Sequence, residues 1–149
     1  MTASLLGIGN SIRDAYASSV GEGHASWLGY CAQGMQVYHV PALPGDGTPI
    51  DPRRIGAGAK AETKALEAIR CRIGVEAVRQ AGDDTLILET VFTGTLSSGD
   101  DFRYDNTLIY TFRDDKIVRL IEVGSEDMWT TLAKELHDTT GYSGAANRI

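Results

Sequence analysis

An α+β fold is predicted for these 149 residues on three observations. Apolar residues recur at helical spacing through most of the first half of the chain. Period-two alternation then takes over, in runs separated by short polar turns, and a last amphipathic segment follows. Helices packed on one face of an antiparallel sheet make an α+β domain. A curved sheet wrapped around three N-terminal helices also leaves a concave space, of the kind that holds small ligands.

Each element has its own signal. Leu5, Ile8, Ile12, Ala15 and Tyr16 predict a first helix from about Ser4 to Val20, ended by Gly21-Glu22-Gly23. A second, short helix spans about His24 to Ala32, with Trp27, Leu28 and Cys31 on one side and Gly34 at its close. Met35 to Val40 reads as a strand stopped by Pro41, and Pro41 to Pro52 as a loop dense in Pro and Gly. Asp51 as N-cap and Pro52 at the first position start a third helix, in which Ala59 to Arg70 are good helix formers. Ile73 to Gln80, Thr85 to Leu96, Phe102 to Arg113 and Lys116 to Val123 read as strands, and their short separators imply consecutive antiparallel hairpins. Ser125 or Asp127 caps a C-terminal helix carrying Met128, Trp129, Leu132 and Leu136. The tail from Asp138 to Ile149 is small and polar and is expected to be flexible. The length fits one domain over residues 1–149.

Composition narrows the function. Lys plus Arg is 14 and Asp plus Glu is 20, a formal net charge of −6. That balance argues against nucleic acid as a partner and against electrostatic binding to a membrane surface. No apolar run approaches the ~20 residues that span a bilayer, and the N-terminus has no basic region of a secretory signal. Cys31 and Cys71 make neither a disulfide scaffold nor a metal cluster, so they read as two small buried hydrophobes. A cytoplasmic location is expected. Gly7-Ile8-Gly9 lacks the third glycine and preceding strand of a dinucleotide fingerprint. Asp46-Gly47-Thr48 lacks the later Glu of a calcium loop. There is no Gly-x-Ser-x-Gly elbow, and His24, His39 and His137 are too scattered to suggest zinc.

Side-chain parity singles out candidate site residues. Phe102, Tyr104, Leu108, Tyr110 and Phe112 share one face of their strand, and Asn106 falls on that same apolar face. A buried amide without a partner costs on the order of 1–3 kcal/mol, so Asn106 meets a core partner or faces a cavity. Glu122 ends the apolar row of Val118 and Leu120, and Glu89 sits with Ile87 and Val91. Either carboxylate, if buried, could serve as a general acid or base. His39, in Tyr38-His39-Val40-Pro41, could carry a proton. Tyr16 and Trp27 are polar-tipped aromatics that satisfy their polar atoms in the core or turn them to a ligand. Both parities of Thr85 to Leu96 are apolar, which suggests a second covered face and a homodimer.

Three stretches carry a family resemblance: the short helix leading to His39-Val40-Pro41, Tyr104-Asp105-Asn106-Thr107 running into Ile109-Tyr110-Thr111-Phe112, and Asp115-Lys116-Ile117-Val118 running to Glu122. In layout, from about Leu5 to Leu136, the chain resembles the nuclear transport factor 2-like superfamily, and within it the SnoaL-like and ketosteroid isomerase-like proteins. The resemblance implies a cone-like curved sheet closed by a C-terminal helix, and no cofactor. Steroid isomerases take a proton with an Asp placed before a Pro; that register lands on His39 or Val40, so only His39 could serve. Their helical oxyanion Tyr is matched by Tyr16. Their second oxyanion donor falls near Leu108, with Asn106 the nearest polar side chain. Limonene-epoxide hydrolase-like members use an Arg-x-Asp pair, and Glu89-x-Val91 stands in its place. SnoaL-like cyclases rely on a late-strand carboxylate, and Glu122 resembles it.

Two functional readings follow. In the first, the chain is a cofactor-free and metal-free isomerase, cyclase or dehydratase of a hydrophobic cyclic carbonyl compound. Glu122 and His39 are its catalytic pair, and Tyr16, Trp27, Glu89, Tyr104 and Asn106 contact substrate. In the second, the same fold is a non-catalytic ligand-binding or dimeric assembly domain.

Overall fold

The computed structural model describes residues 4–143. Helix α1 (Leu5–Ser18) opens at Ser4, whose Oγ accepts the N–H of Gly7 at 3.0 Å. Helix α2 (Val20–Leu28) opens at Ser19, whose Oγ accepts the N–H of Glu22 at 3.0 Å. Both expected helices are present with shifted bounds: the first ends two residues before Val20, and the second runs from Val20 to Leu28 rather than from about His24 to Ala32. Ser19 leaves the helical region (φ −165°, ψ 161°) and caps the second. The glycines read as a stop lie inside α2, and Gly23 is needed there for packing. A Cβ built on Gly23 would lie 1.9 Å from Cδ1 of Tyr16. Strand β1 (Cys31–Val40) begins earlier than expected and takes Cys31 and Ala32 from the predicted helix. Helix α3 (Pro52–Ala68) starts where Asp51 and Pro52 place it, with Asp51 Oδ1 accepting the N–H of Arg53 at 2.7 Å.

Strands β2 (Arg72–Ala81), β3 (Thr85–Thr95), β4 (Asp101–Arg113) and β5 (Lys116–Val123) form the expected antiparallel meander. The sheet order is β1-β5-β4-β3-β2. Contrary to the expected all-antiparallel sheet, β1 runs parallel to β5, so the sheet is mixed. A parallel pair needs a long crossover; here α3 and the rest of the meander supply it. The register sets His39 opposite Glu122 and Leu108 opposite Glu122 on the other side.

The concave face of the sheet holds the core. Leu86, Leu88 and Phe92 of β3 and Leu108, Tyr110 and Phe112 of β4 meet Ile8, Ile12 and Tyr16 of α1. Gly9 lets α1 approach the sheet, since a Cβ there would lie 2.5 Å from Cγ1 of Val78. Burial pushes the Cys31 thiol up to about 11 and the Cys71 thiol up to about 12, consistent with inert core cysteines. Of the two expected caps, Ser125 acts: its Oγ accepts the N–H of Met128 at 3.0 Å. A π-helical turn (Met128–Leu132) then leads into α4 (Ala133–Thr140). Asp138 to Thr140, expected in the loose tail, complete α4; residues 144–149 lie outside the described residues. Glu135 is buried and accepts hydrogen bonds from the N–H and Oγ of Ser97, which ties α4 to the β3–β4 turn. Among the described residues no helix is long and apolar enough to cross a membrane.

Candidate active site

Two chambers open on the concave face. The first lies between the helices and the sheet. It is lined by Tyr16 of α1, His24 and Trp27 of α2, Arg54 and Glu62 of α3, and Thr90, Asn106, Tyr110 and Glu122 of the sheet, among apolar neighbours. The second lies under the C-terminal helix and is walled by Leu43, Leu66, Met128, Trp129, Leu132 and Leu136. Glu62, Phe92, Asn106 and Glu122 line both. The space left for the centres of water molecules is ≈ 70 Å³ in the first and ≈ 110 Å³ in the second.

Glu122 is held from behind. Its Oε2 lies 2.9 Å from Nε2 of His39, and Nδ1 of His39 lies 2.6 Å from Oδ1 of Asp46. A carboxylate only accepts, so Nδ1 carries a proton and donates it to Asp46. One further proton then lies on the Nε2–Glu122 line, held by whichever of the two groups is the stronger base. The other oxygen of Asp46 accepts the main-chain N–H of His39 at 2.8 Å and of Leu43 at 3.0 Å. The imidazole meets Trp129 edge to face at 5.3 Å. The side chain of His39 is 3% exposed and that of Glu122 15%. Glu122 faces both chambers while His39 stands behind it. Of the two predicted catalytic groups, Glu122 is therefore the one that faces the chambers, and His39 bonds to it from behind.

Burial alone raises the pKa of Asp46. The hydrogen bonds from the His39 ring and from the two main-chain N–H groups outweigh it and hold the carboxyl below the usual carboxylate range. Its stabilisation is thus fully present above an unfolded pKa of about 3.9. It is lost as pH falls through the lower folded-state value. Asp46→Asn is expected to be less stable than the parent at neutral pH. The difference in urea unfolding free energy is expected to shrink on acidification from pH 5 to pH 3. A difference that stays constant over that interval would exclude an ionic role for Asp46.

A second polar chain runs through the helices. Nε1–H of Trp27 donates to Oη of Tyr16 at 3.0 Å. That hydroxyl lies 2.8 Å from Nδ1 of His24, and Nε2 of His24 lies 3.1 Å from Oε1 of Glu62. With His24 neutral, Nε2–H donates to Glu62 and Nδ1 accepts the Tyr16 proton. Burial, opposed by the Trp27 hydrogen bond, raises the Tyr16 pKa further above that of a free phenol. Tyr16 and Trp27 thus both line the first chamber, with their polar atoms bonded to each other.

The remaining predicted residues divide. Asn106 lines both chambers, is buried, and among the described residues has no hydrogen-bond partner for Oδ1. Glu89 does not join the site: it has the opposite parity to Leu88 and Thr90, lies on the outer face, and pairs with Arg79 at 2.8 Å. Tyr104 does not line either chamber. Its ring stacks on Phe102 at 5.7 Å, and its hydroxyl reaches Thr131 and Asp127 at the start of the C-terminal helix. Four site residues escaped the sequence reading: His24, Asp46, Glu62 and Tyr110. Glu62 had a signal, because it shares a helical stripe with Ala59 and Leu66. His24 sits one turn before Trp27. Tyr110 reads as core, yet its buried hydroxyl has no partner among the described residues. Asp46 lies in the loop after β1, and only the folded chain brings it back to His39.

No family model matches the chain, and no curated protein matches it. Solved structures do. An NTF2-like protein from Burkholderia thailandensis E264 is 18% identical with a TM-score of 0.60, covering 83% of this chain and 92% of that one. A protein from Jannaschia sp. CCS1, described as a SnoaL-like polyketide cyclase, is 13% identical with a TM-score of 0.55, covering 85% and 87%. A protein with a ketosteroid isomerase-like fold from Catenulispora acidiphila DSM 44928, in complex with trimethylamine, is 13% identical with a TM-score of 0.55, covering 90% and 92%. Identities this low carry the fold and not the chemistry. With helices inside a curved mixed sheet and a helix closing its C-terminal end, this chain has the nuclear transport factor 2-like α+β fold.

Proposed function

We propose that the helix–sheet chamber is the active site of an acid–base catalyst acting on a small, largely apolar, cyclic carbonyl compound. The observation that carries this reading is the cavity-facing carboxylate of Glu122, backed by His39 and Asp46. In this reaction Glu122 takes a proton from the carbon next to the carbonyl and returns it at another position. The result is an isomerisation, or the first step of a cyclisation or dehydration. The unpartnered hydroxyl of Tyr110 supplies a hydrogen bond to the oxygen on which charge develops. Tyr16 is less suited to that task while its proton is given to His24. The cyclase and isomerase-like names among the structural neighbours support the reaction class and leave the substrate open.

Deuterium exchange tests this reading. Cyclic ketones incubated with the protein in D2O are expected to take up deuterium at the α-carbon faster than in buffer, followed by NMR. No acceleration across a panel of ring sizes would remove the acid–base reading and leave a ligand-binding domain.

A homodimer through the outer face of the sheet is the second element of the proposal. Ile87, Ile109 and Ile121 stand directly opposite one another on β3, β4 and β5, pointing away from the core. The expected result is a dimer by sedimentation equilibrium and a monomer for Ile109→Glu. A parent protein that sediments as a monomer would refute it.

A further inference from the structure

We infer that the site takes a two-lobed ligand: a ring bearing a hydroxyl or enol group in the helix–sheet chamber, joined to an apolar second ring seated under the C-terminal helix. The inference rests on the proposed reading of the first chamber and extends it to the second.

Continuity is the first argument. Glu62, Phe92, Asn106 and Glu122 have atoms facing both chambers, so the two adjoin at a waist where three of the four shared side chains are polar. The second argument is hydrogen bonding at that waist. Asn106 is 4% exposed and its Oδ1 has no donor among the described residues. A buried acceptor left unmatched is costly. Its neighbours at the waist, Glu62 and Glu122, are carboxylates, so the group that fits there brings a proton. An O–H on the ligand satisfies Asn106 and lies within the province of Glu122.

Size is the third argument. A cavity needs about 10–15 Å³ to hold one water molecule. The ≈ 70 Å³ of the first chamber and the ≈ 110 Å³ of the second are each several times that, room for a ring-sized group in either. The fourth argument is the shape of the C-terminal helix. It is interrupted by the π-helical turn, and Met128, Trp129 and Leu132 of that turn all line the second chamber. Single π-turns within α-helices occur frequently at functional sites, where they re-aim side chains.

Calorimetric titration of the full chain with phenol and with 2-phenylphenol tests the inference, both being stable mimics of an enol and the second carrying its extra ring beside the hydroxyl that meets the waist. The two-ring phenol is expected to bind at least about tenfold tighter, the gain for burying a second ring. Ala133→Trp and Leu43→Trp, which narrow the second chamber at its wall, are expected to erase that advantage and leave phenol affinity unchanged. Asn106→Leu is expected to weaken both probes. If phenol binds but 2-phenylphenol gains nothing, or keeps its gain in both Trp variants, the two-lobed inference is overturned and the first-chamber reading stands. If neither probe binds at millimolar concentration, both readings fall.

Discussion

Glu122→Gln is expected to slow α-proton exchange of a responsive ketone by about 10²–10⁴-fold, the range supplied by a positioned general acid or base. Phenol affinity is expected to stay within a few-fold of the parent. The substitution keeps the shape of the side chain and removes its basicity. It also keeps an oxygen that can accept the Nε2 proton of His39, so the wall of the chamber is retained. Asp46→Asn in the same assay should lose less, because it removes the negative charge beside the Nδ1 proton but leaves Glu122 in place. Its signature is a displaced pH–rate profile rather than the loss of all rate. Exchange that continues at the parent rate in Glu122→Gln would end the assignment of the proton to this carboxylate.

Gly23→Ala is expected to destabilise the protein by about 2–4 kcal/mol, at or above the usual range for over-packing a core. Ordinarily Gly to Ala inside a helix stabilises it, so the sign itself is diagnostic. The added methyl carbon would fall 1.9 Å from Cδ1, 2.2 Å from Cγ and 2.3 Å from Cε1 of Tyr16. The ring cannot yield without cost, because it is buried and its hydroxyl is bonded to Trp27 and His24. For a domain of this size a loss near 3 kcal/mol corresponds to a fall in melting temperature of about 6–12 °C. Thermal unfolding followed by circular dichroism reads it directly. A melting temperature equal to or above the parent's would mean that α1 and α2 are not packed through this contact. The double variant Gly23→Ala/Tyr16→Ala should recover part of the loss, since it removes the obstructing ring.

What was legible in the sequence follows physical periodicity. The strand-rich half was readable because short turns and alternation fix which residues pair, and β5 runs from Lys116 to Val123 as its pattern implies. The helical start was misread because a glycine that accommodates a ring looks the same, in sequence, as a glycine that ends a helix. Ser19 was the overlooked signal: a serine three residues before Glu22 is an N-cap pattern. At the site, alternation brought Asn106 to the inner face and Glu122 to the end of an apolar row. It could not report that β1 pairs with β5, so the contact between His39 and Glu122 was out of reach. Asp46 was weighed only against a calcium loop. Its partner is set by how the Pro41–Pro52 loop folds back, which no local pattern encodes. Glu89 failed for a simpler reason: with both faces of β3 apolar, parity alone does not say which is inside.

The parallel pairing of β1 with β5 has a consequence for when the molecule becomes competent. During synthesis His39 leaves the ribosome early, with α3 and the rest of the meander still to follow before its partner strand. Until β5 docks, His39 has no Glu122 to hold, whatever else has already folded. Such distant contacts form late because loop closure must precede them. A nascent chain, or one cut before β5, lacks the His39–Glu122 contact altogether, because its two halves lie on strands far apart in the sequence. The back of the chamber is thereby completed only when β5 has been made and paired, and a fragment ending before Lys116 carries one half of it.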